Sequence, residues 1–118
     1  MDFSRYENLR ALVRANFSET TQRLVDEALE YADGKLAGVC RYDGAPMLDH
    51  AAAVGSIVIS EVGLGRNSAV SSILHDVVRL AHKERPADEF LALTEEIRNR
   101  FGEQVVGITM GLANISEL

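Results

Sequence analysis

Apolar residues recur every three or four positions along almost the whole of this sequence, and no convincing stretch alternates apolar with polar. That period is the one a helix needs to bury a single face. The chain is therefore predicted to be all-α, a bundle of about five to six helices. Phe3, Tyr6, Leu9, Leu12 and Val13 place a first amphipathic helix over 2–15. Ser18 is positioned to cap a second, with Glu19 and Thr20 in its first turn and Leu24, Ala28, Tyr31 and Ala32 on its apolar face. Gly34 weakens its end. Asp49 is placed to cap a third helix over 50–62, which Gly63 and Gly65 would end. Asn67 or Ser68 caps a fourth over 68–83. Asp88 opens a fifth behind Pro86, with a stripe of Phe90, Leu91, Leu93, Ile97 and Phe101 and a stop at Gly102. The last helix runs from Gln104 to Asn114. Residues 35–48, punctuated by Gly38, Asp43, Gly44 and Pro46, form the one long irregular stretch and the place to search for chemistry.

The 118 residues fit one domain, 1–118, or the front part of a longer protein. An apolar fraction of 47% and a charged fraction of 25% are ordinary for a folded chain. The net charge of −6 supplies no basic field for DNA or an anionic membrane. It leaves room for a small phosphate ligand in a local pocket. Cys40 is the single cysteine, so no internal disulfide forms and a reducing cytoplasm is the economical setting. The first residues carry no basic and apolar leader pattern. The most apolar stretch, 51–62, is broken by Ser56, Ser60 and Glu61, and is too short to span a bilayer.

The residues that invite chemistry are His50, His75 and Asp76. His75 and Asp76 are consecutive at the centre of an apolar helix, where a charge needs a partner or a metal. His50 begins the preceding helix, and antiparallel packing would bring its imidazole near. Two imidazoles and a carboxylate suit manganese, iron or zinc, and would need a further ligand. The plainer reading is a hydrogen-bonded polar cluster in the core. Arg79 stands three residues after Asp76, the spacing at which helical side chains meet, and could be its partner. His82, near a helix C-terminus, reads as a surface residue that complements the dipole.

From Ala28 to Asn114 the chain resembles the N-terminal HD domain of the RelA/SpoT family, the synthetase–hydrolases of guanosine tetra- and pentaphosphate. Gly38, Arg41, Gly44, Pro46, His50, the run His75-Asp76-Val77-Val78, Phe101-Gly102 and Gly111 carry the resemblance in order. It implies an all-helical HD fold, a manganese cofactor, and removal of the 3′-diphosphate of the guanine nucleotide (ppGpp). His50, His75 and Asp76 match three of the family's metal ligands. The fourth, an aspartate well past the stretch matched by Gly111, would fall beyond Leu118. The family's Glu-Asp pair after His-Asp, which helps activate water, is Arg79-Leu80 here. Its Arg-Lys-Ser substrate loop is Arg41-Tyr42-Asp43. Arg41 still offers a cation, Tyr42 a ring, and Asp43 a negative charge where an anionic nucleotide would sit.

Three functions follow as expectations. The first is an HD domain with little or no hydrolysis, kept for a regulatory or structural role in stringent-response alarmone metabolism. The second is an active metal-dependent phosphohydrolase of (p)ppGpp or another nucleotide. The third is a helical interaction module that self-associates through Ile108, Met110, Leu112, Ile115 and Leu118.

Overall fold

A computed structural model describes residues 1–62 and 65–116, with side chains described at all of these except 61, 62 and 113–116. The elements are a 3₁₀ turn Phe3–Tyr6, α1 Glu7–Asn16, α2 Glu19–Lys35, α3 Met47–Ile57, a π-helical turn Val58–Val62, α4 Arg66–Glu84, α5 Ala87–Phe101 and α6 Glu103–Ser116. Among the described residues there are no strands, only an isolated bridge between Cys40 and Pro46. The all-α expectation holds.

Helix α4 is the axis. Every residue from Ala69 to Val78 is buried, with α6, α3, α2 and α5 packed around it. Leu9 and Val13 of α1, Val25 and Leu29 of α2, Ile73 and Leu74 of α4, Ile97 of α5 and Val105 of α6 form the core. The two buried serines of α4 are satisfied locally. Ser71 donates its hydroxyl to the Asn67 carbonyl at 2.6 Å, and Ser72 to the Ser68 carbonyl at 2.9 Å. Such back-bonding keeps a buried hydroxyl paired at little cost to the helix.

Several boundaries differ from the periodicity, each for a local reason. The first helix is split because the Asp2 carboxylate takes the Ser4 N–H at 3.0 Å and its hydroxyl at 2.7 Å, tightening the opening turn. Ser18 does cap α2, accepting from Thr21 N–H, and Gly34 is carried inside that helix. Asp49 is not a cap. Pro46 precedes α3, and Asp49 sits in its first turn. Its carboxylate accepts from Arg5 Nη2 at 2.6 Å and Tyr6 Oη at 3.1 Å, clamping α3 to the chain's start. Gly65, not Asn67 or Ser68, precedes α4, while Asn67 donates its side-chain amide to Gln104 Oε1 at 2.6 Å. Asp88 lies in the first turn of α5, which opens directly behind Pro86. There it complements the dipole rather than capping. Gly102 at φ +99° ends α5, a conformation that favours glycine. On α6, Ile108, Met110 and Leu112 are half-buried. The Ile115 side chain, Leu118 and the helix-ending Gly63 lie outside the described residues. No helix among the described residues is long and apolar enough to cross a membrane.

Candidate functional site

The loop between α2 and α3 folds over the α3–α4 contact. Its path is set by backbone hydrogen bonds: Arg41 N–H to Ala45 O at 2.8 Å, Gly44 N–H to Arg41 O at 2.9 Å, and Met47 N–H to Val39 O at 3.0 Å. Gly44, at φ +89°, makes the reversal possible. The loop and the two helices enclose an open cleft of about 420 Å³. Arg41, Tyr42, His50, His75, Asp76 and Arg79 all line it. Five of the six residues named for binding or metal ligation thus meet in one place. Asp43 is the exception. Its carboxylate accepts the Ala45 N–H at 3.0 Å and is spent on the turn.

His75 is fixed by a short hydrogen bond. Its Nδ1 lies 2.6 Å from the Ser72 carbonyl, which can only accept, so Nδ1 carries the proton. Its Nε2 lies 3.5 Å from Asp76 Oδ1. That same Oδ1 receives both Arg79 Nε and Arg79 Nη2 at 3.0 Å. Asp76 Oδ2 is buried without a hydrogen-bond partner. The three-residue spacing from Asp76 to Arg79 therefore makes the ion pair that it predicts.

His50 lines the same cleft and is held from the loop. Arg41 Nη1 stands 3.2 Å from His50 Nδ1. Arginine has donors only, so His50 Nδ1 accepts and the neutral ring's proton sits on Nε2. Burial, then the Arg41 cation, holds His50 below the usual histidine range, against the opposing pull of Asp76. Arg41 pairs with no carboxylate among the described residues, and its guanidinium lies 5.6 Å from the Tyr42 ring centre. Tyr42 is almost fully exposed. His82 packs its ring edge-on to Phe90 with centres 5.0 Å apart.

The arrangement is a poor fit to a manganese ion. Among the described residues no group of three or more His, Cys, Asp or Glu stands together so as to hold a metal. His75 Nε2 and the unpartnered Asp76 Oδ2 would suit one. The His50 lone pair is engaged by Arg41, and the Arg79 guanidinium lies against the carboxylate. Two further residues at the site had not been singled out from the sequence. Glu84 follows Asp76 and Leu80 at steps of four along one face of α4 and lines the same cleft. Ser72, one turn before His75, orients that ring.

A family model described as HD domain matches residues 28–118. This chain belongs to the HD domain family. The HD domain is also similar to the "Probable GTP pyrophosphokinase" of Mycobacterium leprae (strain TN), 31% identical over 103 residues. That alignment covers 87% of this chain and 12% of the relative's length. No solved structure matches the chain. The family match begins within α2, where the RelA/SpoT resemblance begins, and with the relative it bears out that resemblance at the level of the family.

Proposed function

We propose that this HD domain is a RelA/SpoT-type module without a working hydrolytic centre, retained as a regulatory or structural element of guanosine tetra- and pentaphosphate metabolism. The Arg79–Asp76 pair carries the reading. Two N–H groups 3.0 Å from one carboxylate oxygen put a fixed positive charge where a divalent ion would bind. A unit charge about 5 Å away repels another by about 3 kcal/mol at an effective dielectric near 20, and a dication by more. That is on the order of a hundredfold in affinity. Leu80, lining the cleft, gives no carboxylate to activate water. The relative's name supports a guanine nucleotide as the ligand class, with Arg41 and Tyr42 as its contacts at the mouth of the cleft.

Calorimetric titration of manganese, with pyrophosphate release from guanosine tetraphosphate, tests this. The expected result is no micromolar manganese binding and no release. Micromolar binding accompanied by turnover would overturn it. One observation favours a second reading, an active phosphohydrolase with Arg79 swung aside: Asp76 Oδ2 has no partner, and His75 Nε2 lies beside the same carboxylate. The double variant Arg79→Glu with Leu80→Asp separates the two. Under the first reading it gains manganese affinity of about a hundredfold or more. If the unaltered chain already binds as tightly as the variant, the second reading replaces the first.

A further inference from the structure

A pocket of about 100 Å³ opens between the end of α2, the last turns of α4 and the middle of α5. Its wall is aliphatic. Leu36, Val77 and Ala81 are buried there, and Val39, Leu80 and Leu93 are half-buried. Three exposed charged residues, Lys35, Glu84 and Arg85, complete the lining. Arg85 Nη1 lies 3.7 Å from Glu89 Oε2, so its charge is met from within the chain. The other two charges are not met. Among the described residues the Glu84 carboxylate has no hydrogen bond or ion pair. Lys35 likewise has no carboxylate partner there, only the Tyr31 ring with its centre 5.6 Å from Nζ. Glu84 is also the last residue of α4, the end at which a helix dipole disfavours an acid. Helix stability alone gives no reason for a carboxylate at that place.

We propose that this pocket binds a free aliphatic α-amino acid, its side chain among Leu36, Val77 and Leu93, its carboxylate on Lys35 and its ammonium on Glu84. Charge names the class. One cation and one anion, each without an ionic partner, stand beside the same aliphatic wall. An α-amino acid carries both opposite charges on the carbon that bears its side chain, so one small molecule answers both. Its ammonium also meets the end of α4, where the helix dipole favours a cation. A fatty acid would satisfy Lys35 alone, and an alkylamine Glu84 alone. Size names the side chain. An apolar cavity of about 150 Å³ accommodates benzene, so this smaller one takes the aliphatic carbons of valine or leucine and not an aromatic ring. The inference goes beyond the alarmone reading and uses neither Arg41, nor the histidines, nor a metal. It gives a module kept for regulation a signal to receive.

Titration of the full chain with leucine, alanine, 3-methylbutylamine and 4-methylpentanoate, followed by calorimetry or amide chemical shifts, tests the proposal. The last two are leucine without its carboxylate and leucine without its ammonium. Each buried methylene strengthens binding about fourfold, so leucine is expected to bind about tenfold or more tighter than alanine. A hydrogen bond to a charged group contributes about tenfold or more, so leucine exceeds both single-charge analogues by a similar margin. Lys35→Gln removes its advantage over the amine and leaves its advantage over the acid. Glu84→Gln does the reverse. The advantage that survives in each variant certifies that the variant is folded. No binding of leucine overturns the proposal, as does alanine, the amine or the acid binding as tightly as leucine, or preferences that both substitutions leave unchanged. None of these results depends on manganese or on a nucleotide. Failure here leaves the metal and turnover experiment standing on its own, and turnover there leaves this pocket to be judged separately.

Discussion

At residue scale, Asp76 is a carboxylate on the most enclosed stretch of the molecule, and its ion partner is Arg79 from the next turn of the same helix. Removing one member of a buried ion pair typically costs about 3–5 kcal/mol, because the other is left charged and dry. Arg79→Leu is therefore expected to lower the unfolding free energy measured in urea by that order, and Asp76→Leu in the same chain to recover most of the loss. A single-variant effect below about 1 kcal/mol would mean that Asp76 rests on something else. This pair was legible in the sequence because helical spacing alone brings the two together. The Arg41–His50 contact was not. It joins two residues across a loop whose course depends on Gly38 and Gly44 in left-handed backbone and on hydrogen bonds closing around them. Asp43 was misplaced for the same reason. Its short side chain satisfies a neighbouring N–H within the turn, a local alternative with which any ligand would have to compete.

At the scale of elements, α3 is tied to the chain's beginning by Asp49, which receives both Arg5 and Tyr6. Burial, with the Asp49 carboxylate as acceptor, pushes the Tyr6 phenol up to about 12. The sign follows from linkage. A phenol that holds its proton more tightly when folded adds stability below its unfolded value near 10, and that stability is lost as pH rises towards 12. The chain is expected to become easier to unfold with urea across that alkaline window, and Tyr6→Phe to flatten this part of the profile. Asp49 had the sequence position of a cap, and only the tertiary contact shows why it is an acidic residue. The helices themselves were readable from period and punctuation: Ser18, Pro86 and Gly102 stand at or beside the observed ends. The run Ile57-Val58-Ile59 kept its helical course, though the turn widens to π over Val58–Val62. Nothing in apolar spacing distinguishes that from a regular turn. Gly55 is a weak point of α3 that can be strengthened. A methyl group there would meet Leu9 Cδ1 at 3.5 Å, ordinary contact. Gly55→Ala is expected to raise stability by about 0.5–1 kcal/mol, read from the same urea unfolding.

For the whole molecule, the decisive fact is that one helix is enclosed by four others. A helix so placed carries no polar face to solvent over its central turns, so its polar residues either find partners within the protein or serve a ligand. In the sequence this stands out as an anomaly, a charged residue amid Ile73, Leu74, Val77 and Val78. What it left open was which of the two outcomes holds, since that turns on a few ångströms of side-chain direction. Arg79 supplies a counter-charge from within. The counter-ion of Asp76 is encoded in the chain and arrives one turn later during synthesis, so neutralising this acid requires nothing scavenged from the medium. If the proposed reading holds, a chelator that strips divalent ions leaves the pair unchanged, and the buried acid keeps its cation when manganese is scarce.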